Sequence, residues 1–319
     1  TISIPFKHQS GRFFAPPEML EQIESSNQAA FRYAPGQNPN GSRFHHARED
    51  ARFATQNLST PQTNSPAYRL AFQDTDFLLR EDLRPVRFQL ELLKPEMLLD
   101  EAGIGSTLVC YGSARIPSPE KAQALIDAAE TPERRAVAER LAANARYYEE
   151  ARKLARIAGE RAIVEKGMRQ FVVCSGGGPS IMEAANRGAA EAGAETVGLN
   201  IVLPHEQAPN PYVTPRLAFQ FHYFALRKMH FLLRARAVAV FPGGFGTLDE
   251  FMELLTLVQT GKMKPIPILL YGREFWTRVI NFEALAEEGV INPADLKLFT
   301  WVESAEEGWK AIEDFYGLG

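Results

Sequence analysis

The stretch Pro242-Gly243-Gly244-Phe245-Gly246-Thr247-Leu248-Asp249-Glu250 joins a glycine turn to a carboxylate. An apolar run, Ala237 to Phe241, precedes it, and a helical pattern from Leu248 to Thr260 follows. Strand, glycine turn and helix form a phosphate-binding layout. Glycines let the backbone approach an anion, and the first N–H groups of a helix lack intrahelical partners. Thr247 adds a hydroxyl. Glu250 adds a negative charge one turn into the helix, where a plain phosphate grip gains nothing from it. A hydrolytic site uses such a group as a base or against developing positive charge. A first-turn acid also serves simply to complement the helix dipole. Both readings stand at this point.

At about 100° per residue, Leu248, Phe251, Leu255 and Val258 share one side of that helix and are expected to face a sheet. Glu250 lies roughly 200° from Leu248 and can point into a crevice. Arg227-Lys228 sits among Phe224, Leu226, Met229 and Phe231, as snorkelling stems or as ligand contacts. Two more apolar runs end in small-residue turns, at Gly112-Ser113-Ala114-Arg115 and at Ser175-Gly176-Gly177-Gly178-Pro179. In an open parallel sheet all three turns lie along one edge, where ligands bind. The spacing is neither the dinucleotide fingerprint nor the P-loop. NAD and ATP hydrolysis therefore drop, and a mononucleotide or sugar phosphate remains.

The elements that position these turns alternate. Strands are expected at Thr107–Tyr111, Phe171–Cys174, Thr196–Leu203, Leu217–Phe221, Ala237–Phe241, Ile266–Tyr271 and Leu298–Val302. Helical patterns fall between them, including a long stretch from Pro119 to Lys166 broken near Thr131-Pro132. The fold class is α/β: a Rossmann-like open parallel sheet with helices on both faces. We place this domain at 106–319. Residues 1–105 read as an irregular, Pro- and Asn-rich arm and a helical N-terminal extension packed on the core. The arm has one candidate helix between Pro17 and Phe31. In the extension, Asp74 or Thr75 caps a short helix, and Pro85 starts another with Val86, Leu90, Leu93 and Met97 on one face. Arg80, Arg84 and Arg87 lie among acids and read as surface ion pairs. His45-His46 lacks a third ligand at metal-binding spacing.

A net charge of −4 over 319 residues argues against a nucleic-acid partner. Cys110 and Cys174, each inside an apolar run, are expected as reduced, buried thiols of a cytoplasmic protein. No apolar run is long enough for a membrane helix. Residues 1–12 lack a signal-peptide apolar segment, and the start at Thr1 is expected from removal of an initiator methionine or tag.

Pro242 to Glu250 resembles the PGGxGTxxE signature of the LOG (Lonely Guy) family, and Arg227-Lys228 stands where that family has its Arg-Lys pair. The resemblance covers about residues 106–303. Its Gly112–Arg115 and Gly176–Glu183 segments are similar to the longer bacterial branch. Compact members often carry GGGxxGLMG at the second turn; here the spacing is one residue shorter and Ser180 replaces a glycine. Residues 1–105 and an insertion near 118–145 are absent from compact members. Members were long labelled possible lysine decarboxylases. The resemblance implies instead a nucleoside 5′-monophosphate phosphoribohydrolase acting on an AMP-like nucleotide, a homodimer or higher homo-oligomer, with no metal and no organic cofactor. It implies Glu250 and Arg227 as catalytic residues. Gly243, Gly244, Gly246 and Thr247 would hold the 5′-phosphate; Ser113, Arg115, Gly177, Gly178, Glu183 and Lys228 would complete substrate binding. The reading from another functional class is a non-catalytic carrier of a nucleotide or nucleotide-like cofactor on the same fold.

Overall fold

The structure, a computed structural model, describes residues 51–52, 54, 59–204 and 208–318. The expected Pro17–Phe31 helix and the His45-His46 pair lie outside the described residues. The chain divides into two compact units between Arg87 and Phe88. In the first, Asp74 caps α1 (Thr75–Leu78) by accepting the Phe77 N–H at 3.2 Å. Arg80 and Arg84 pair with Asp82 and Glu81, and Arg87 donates to the carbonyls of Leu78 and Arg80. Helix α2 (Arg84–Glu101) runs across the division. It buries Pro95 and Leu99, whereas Leu90, Leu93 and Met97 stay exposed.

The second unit is built on a seven-stranded sheet, wholly parallel: β1 (Thr107–Tyr111), β4 (Val172–Ser175), β5 (Val197–Ile201), β6 (Ala218–Phe221), β7 (Ala235–Val240), β8 (Ile268–Tyr271) and β9 (Thr300–Val302). Their order is β6-β5-β4-β1-β7-β8-β9. The chain leaves β1 toward one edge, returns to its other side at β7 and proceeds to the opposite edge. The C-terminal ends of β1 and β7 therefore flank the topological switch point, the crevice such sheets use for ligands. A short antiparallel hairpin, β2 (Val164–Glu165) with β3 (Met168–Arg169), has no counterpart in the expected strands. Its two-residue turn uses positive φ at Lys166 and Gly167, and strands of two residues show no periodicity.

The expected long helical stretch is three helices, α3 (Pro119–Asp127), α4 (Pro132–Ala143) and α5 (Ala145–Arg161). The break at Thr131-Pro132 is real, with Thr131 accepting the Arg134 N–H; Asn144 makes the other. Then follow α6 (Ile181–Glu191), α7 (Phe224–Leu233), α8 (Phe245–Gln259), α9 (Arg273–Val279), α10 (Phe282–Glu287) and α11 (Ala305–Tyr316). The sheet has helices on both faces. Leu108 and Cys110 pack with Tyr148 and Leu154 of α5, Ile181 of α6 and Ile312 of α11. Val109 and Tyr111 pack with Leu99 of α2, Phe231 of α7 and Phe251 of α8. This is the period-two alternation of strands buried on both sides. It puts the two cysteines on opposite faces, Cys110 in one core and Cys174 in the other, both buried and free. Burial pushes the Cys110 thiol up to about 12. Among the described residues, no helix is long and apolar enough to cross a membrane.

Candidate active site

A cleft of about 650 Å³ opens at the switch point, lined by Gly112 to Arg115 after β1, Gly176 after β4 and Gly243 to Leu248 after β7. The three glycine turns of the sequence thus meet in one place. Space calls for a glycine in each of them. A Cβ on Gly243 would stand 2.2 Å from the Thr247 hydroxyl and 2.5 Å from its Cβ. A Cβ on Gly112 would stand 2.4 Å from Ile181. Gly244 and Gly246, by contrast, face open space.

Helix α8 starts at Phe245, three residues earlier than the sequence pattern indicates, with Gly244 as its N-cap. The first intrahelical bond runs from the Leu248 N–H to the Gly244 carbonyl, 2.9 Å. The N–H groups of Phe245, Gly246 and Thr247 precede it, and no side chain caps them. That end of α8 thus presents N–H groups without intrahelical partners in the wall of the cleft, the arrangement that suits an anion. The buried stripe of α8 is Thr247, Phe251, Leu254 and Val258; Leu248 and Leu255, expected at its centre, flank it half-buried. The stripe follows the side chains that reach the sheet core, and Thr247 joins it although polar.

Glu250 lines the cleft, and Arg227 of α7 meets it there, Nη1 to Oε1 at 3.1 Å. Their side chains are only 13% and 10% exposed, so this is a desolvated pair. Arg227 is fixed from two further sides. Its Nε donates to the Leu199 carbonyl at 2.6 Å, and its guanidinium lies over the Phe231 ring, 4.9 Å from the centroid. Burial pushes the Glu250 carboxyl up to about 7, against the pull of Arg227. The carboxylate is therefore poised to exchange a proton near neutrality.

Gly176 makes room for this arrangement. A Cβ there would stand 2.5 Å from Arg227 Nη2 and 2.7 Å from Met182 Sδ. With Arg227 already tied to Leu199 and Glu250, Gly176→Ala is expected to displace the guanidinium. Any turnover at this site should then fall about tenfold or more, while secondary structure measured by circular dichroism stays intact.

The remaining expected residues divide. Ser113 and Arg115 line the cleft, with the Arg115 N–H on the Ser113 hydroxyl at 3.0 Å. Arg115 makes no ion pair among the described residues, so its charge is available to a ligand. Lys228 is not in the lining: it pairs with Asp249 and Glu253 at 3.1 and 3.2 Å. Glu183 accepts from the buried Tyr148 hydroxyl at 3.1 Å and does not line the cleft either. Gly177 and Gly178 are buried, their carbonyls bonded by Asn210, and the glycine of that turn that reaches the cleft is Gly176. Ser180, at φ 62°, holds a left-handed backbone in which glycine is the usual residue. The sequence reading missed the apolar lining, Met182, Ile201, Leu203, Phe224 and Val279, together with Phe245, which is 93% exposed. Phe224 and Phe245 adjoin the motif residues and were findable as such. Val279 comes from α9, far along the chain, and nothing local marks it.

The family model described as "Possible lysine decarboxylase" matches residues 182–312. Cytokinin riboside 5′-monophosphate phosphoribohydrolases of Arabidopsis thaliana, and proteins of Oryza sativa subsp. japonica named as probable ones, match at 24–33% identity. The α/β body of this chain is thus similar to proteins of the LOG family. Of these LOG relatives, LOG3 of Arabidopsis is 24% identical over 147 residues, which cover 45% of this chain and 67% of that protein. LOG1 of Arabidopsis is 33% identical over 91 residues, 28% of this chain and 42% of that protein. A short stretch of 41 residues is 58% identical to phosphoribosylformylglycinamidine synthase subunit PurQ of Chelativorans sp., 13% of this chain and 18% of that protein. The chain thus spans between 18% and 67% of the lengths of these three relatives. Among solved structures, the molybdenum cofactor binding protein of Rippkaea orientalis aligns with a TM-score of 0.42 at 16% identity, over 66% of this chain and 98% of that one.

Proposed function

We propose that this protein hydrolyses the N-glycosidic bond of a nucleoside 5′-monophosphate, AMP-like in kind, to free base and ribose 5-phosphate. One observation carries the reading: a buried carboxylate, Glu250, is held by Arg227 in the cleft that opens at the uncapped N-terminus of α8. A phosphate grip alone has no use for that acid. The relatives named as phosphoribohydrolases support the reaction class.

In this mechanism the 5′-phosphate takes the N–H groups at the start of α8 and the Thr247 hydroxyl, with Arg115 as the cation across the cleft. That anchors the ribose beside Glu250. As the C1′–N bond breaks, its electron pair leaves with the base, which takes up a proton from solvent, a proton that Glu250 returns to solvent when the cycle closes. Positive charge spreads over C1′ and the ring oxygen, and the Glu250 carboxylate stabilises it. Water attacks C1′ and gives a proton to Glu250. Arg227 keeps Glu250 oriented and ionised despite its burial. Met182, Ile201, Leu203, Phe224 and Val279 offer the base an apolar wall.

The test is incubation with a panel of nucleoside monophosphates, resolving free base and ribose 5-phosphate by chromatography. Release from at least one purine monophosphate is expected. Binding without release from any of them would replace the enzyme by a non-catalytic nucleotide carrier.

A further inference from the structure

The residues before β1 include α2, which packs on the core through Pro95 and Leu99 and also carries acids beside them. Three of these, Glu91, Glu96 and Asp100, bond at the two ends of α7, the helix that bears Arg227. At the N-terminal end of α7, the Glu91 carboxylate accepts the His222 N–H at 2.8 Å and the Tyr223 N–H at 3.2 Å. It thereby caps a helix that has no side-chain cap of its own and sets a negative charge at its positive end. At the other end, Arg234 pairs with Glu96 at 2.8 Å and with Asp100 at 2.9 Å.

Between them lies a third contact that depends on a proline. Pro95 sits inside α2 and has no N–H, so the carbonyl four residues earlier, that of Glu91, loses its helical partner. His230 of α7 takes its place, its Nε2 lying 3.0 Å from the Glu91 carbonyl oxygen. A carbonyl only accepts, so Nε2 carries a proton, and in the neutral ring Nδ1 carries none. Nδ1 is buried without a hydrogen-bond partner, 3.5 Å from a Glu96 oxygen. Burial lowers the affinity of the ring for a second proton. One residue, Glu91, thus holds α7 twice, by its side chain and by its backbone.

We propose that Glu91 is a positioning residue: together with the Pro95-freed carbonyl and His230, it sets the axial and rotational register of α7 that brings Arg227 onto Glu250. Arg227 lies one turn inside the capped end, and its two hydrogen bonds, to Leu199 and to Glu250, require α7 in this register. The inference rests on the phosphoribohydrolase reading for its kinetic consequences but not for its structural ones.

The test compares Glu91→Ala with Glu91→Gln in the full chain. In Glu91→Ala, kcat should fall about tenfold while KM changes about twofold or less, because the phosphate grip belongs to α8. The acidic limb of the pH–rate profile should also move to higher pH. Glu250 then keeps its burial and its neighbours Tyr111, Asp249 and Lys228 but loses the attraction of Arg227. Glu91→Gln keeps one acceptor and should recover most of kcat and return the limb toward its original place. A merely structural role would lower the amount of active enzyme and leave the limb unmoved, and that result overturns the proposal. Should the unaltered protein cleave no nucleotide, the reaction reading fails and amide exchange decides the positioning. Protection of residues 224–230 should drop about tenfold in Glu91→Ala, with β1 and β4 unchanged. Unchanged exchange in α7 overturns the proposal as well.

Discussion

Replacing Glu250 by glutamine is expected to lower turnover about a thousandfold while nucleotide affinity stays within a few-fold. Glutamine preserves the shape and one acceptor for Arg227, so the cleft remains filled, and the proposed phosphate contacts lie one turn away at the start of α8. What disappears is the negative charge and the capacity to take a proton from water. Rates of base release and titration calorimetry with the same nucleotide separate the two effects. A variant that turns over normally would remove Glu250 from the mechanism.

The same substitution has a stability consequence of opposite sign. The Glu250 carboxyl, raised by burial from 4.5 to about 7, binds its proton more tightly folded than unfolded. Its stabilising contribution is therefore fully present below pH 4.5 and is lost as the pH rises through about 7. At 1.36 kcal/mol per unit, ionising Glu250 in the folded protein costs up to about 3 kcal/mol at alkaline pH. Glu250→Gln escapes that cost. Its Tm should exceed that of the unaltered protein at pH 8 and converge with it at pH 4.5, as scanning calorimetry can measure. A higher Tm in the amide variant is the trade expected of a site under functional demand.

Arg227→Ala is expected to be damaging in both respects. It removes the cation bonded to Glu250 and vacates space beside Gly176. Breaking a buried ion pair from one side costs about 3–5 kcal/mol when the remaining charge stays ionised. Here Glu250 can protonate instead, so the loss should be small at pH 5 and grow toward pH 8. Turnover should fall about a hundredfold or more, and its acidic limb should move above pH 7, because the attraction that opposed burial is gone. Denaturant melts at the two pH values and a pH–rate profile check both. Equal destabilisation at pH 5 and pH 8 would mean that Arg227 acts by packing over Phe231 and not by its charge.

Much of this molecule is local in origin and was therefore readable along the chain. Alternating apolar strands and helices require a parallel sheet with both faces covered, and turn residues after β1, β4 and β7 had to fall on one edge of it. The Pro242–Glu250 run carries its own backbone demands, in glycines, in a threonine that fills the space over Gly243, and in an acid one turn on. Other features came only from contacts between segments far apart in sequence. The 23-residue gap between Arg227 and Glu250 says nothing of a bond between them; the neighbouring placement of α7 and α8 makes it. Lys228 and Glu183, as polar as the residues beside them, were drawn off by Asp249, Glu253 and Tyr148, because a side chain's partner depends on which face of its helix meets which neighbour. The elevated proton affinity of Glu250 is likewise a property of burial, which no residue possesses alone. Nor does the helix before β1 announce its task. Leu90 and Leu93 face outward while Glu91 and Glu96 turn to the ends and flank of α7, where backbone N–H groups, an imidazole and a guanidinium find partners, and Leu99 alone among the leucines of α2 is fully buried in the core.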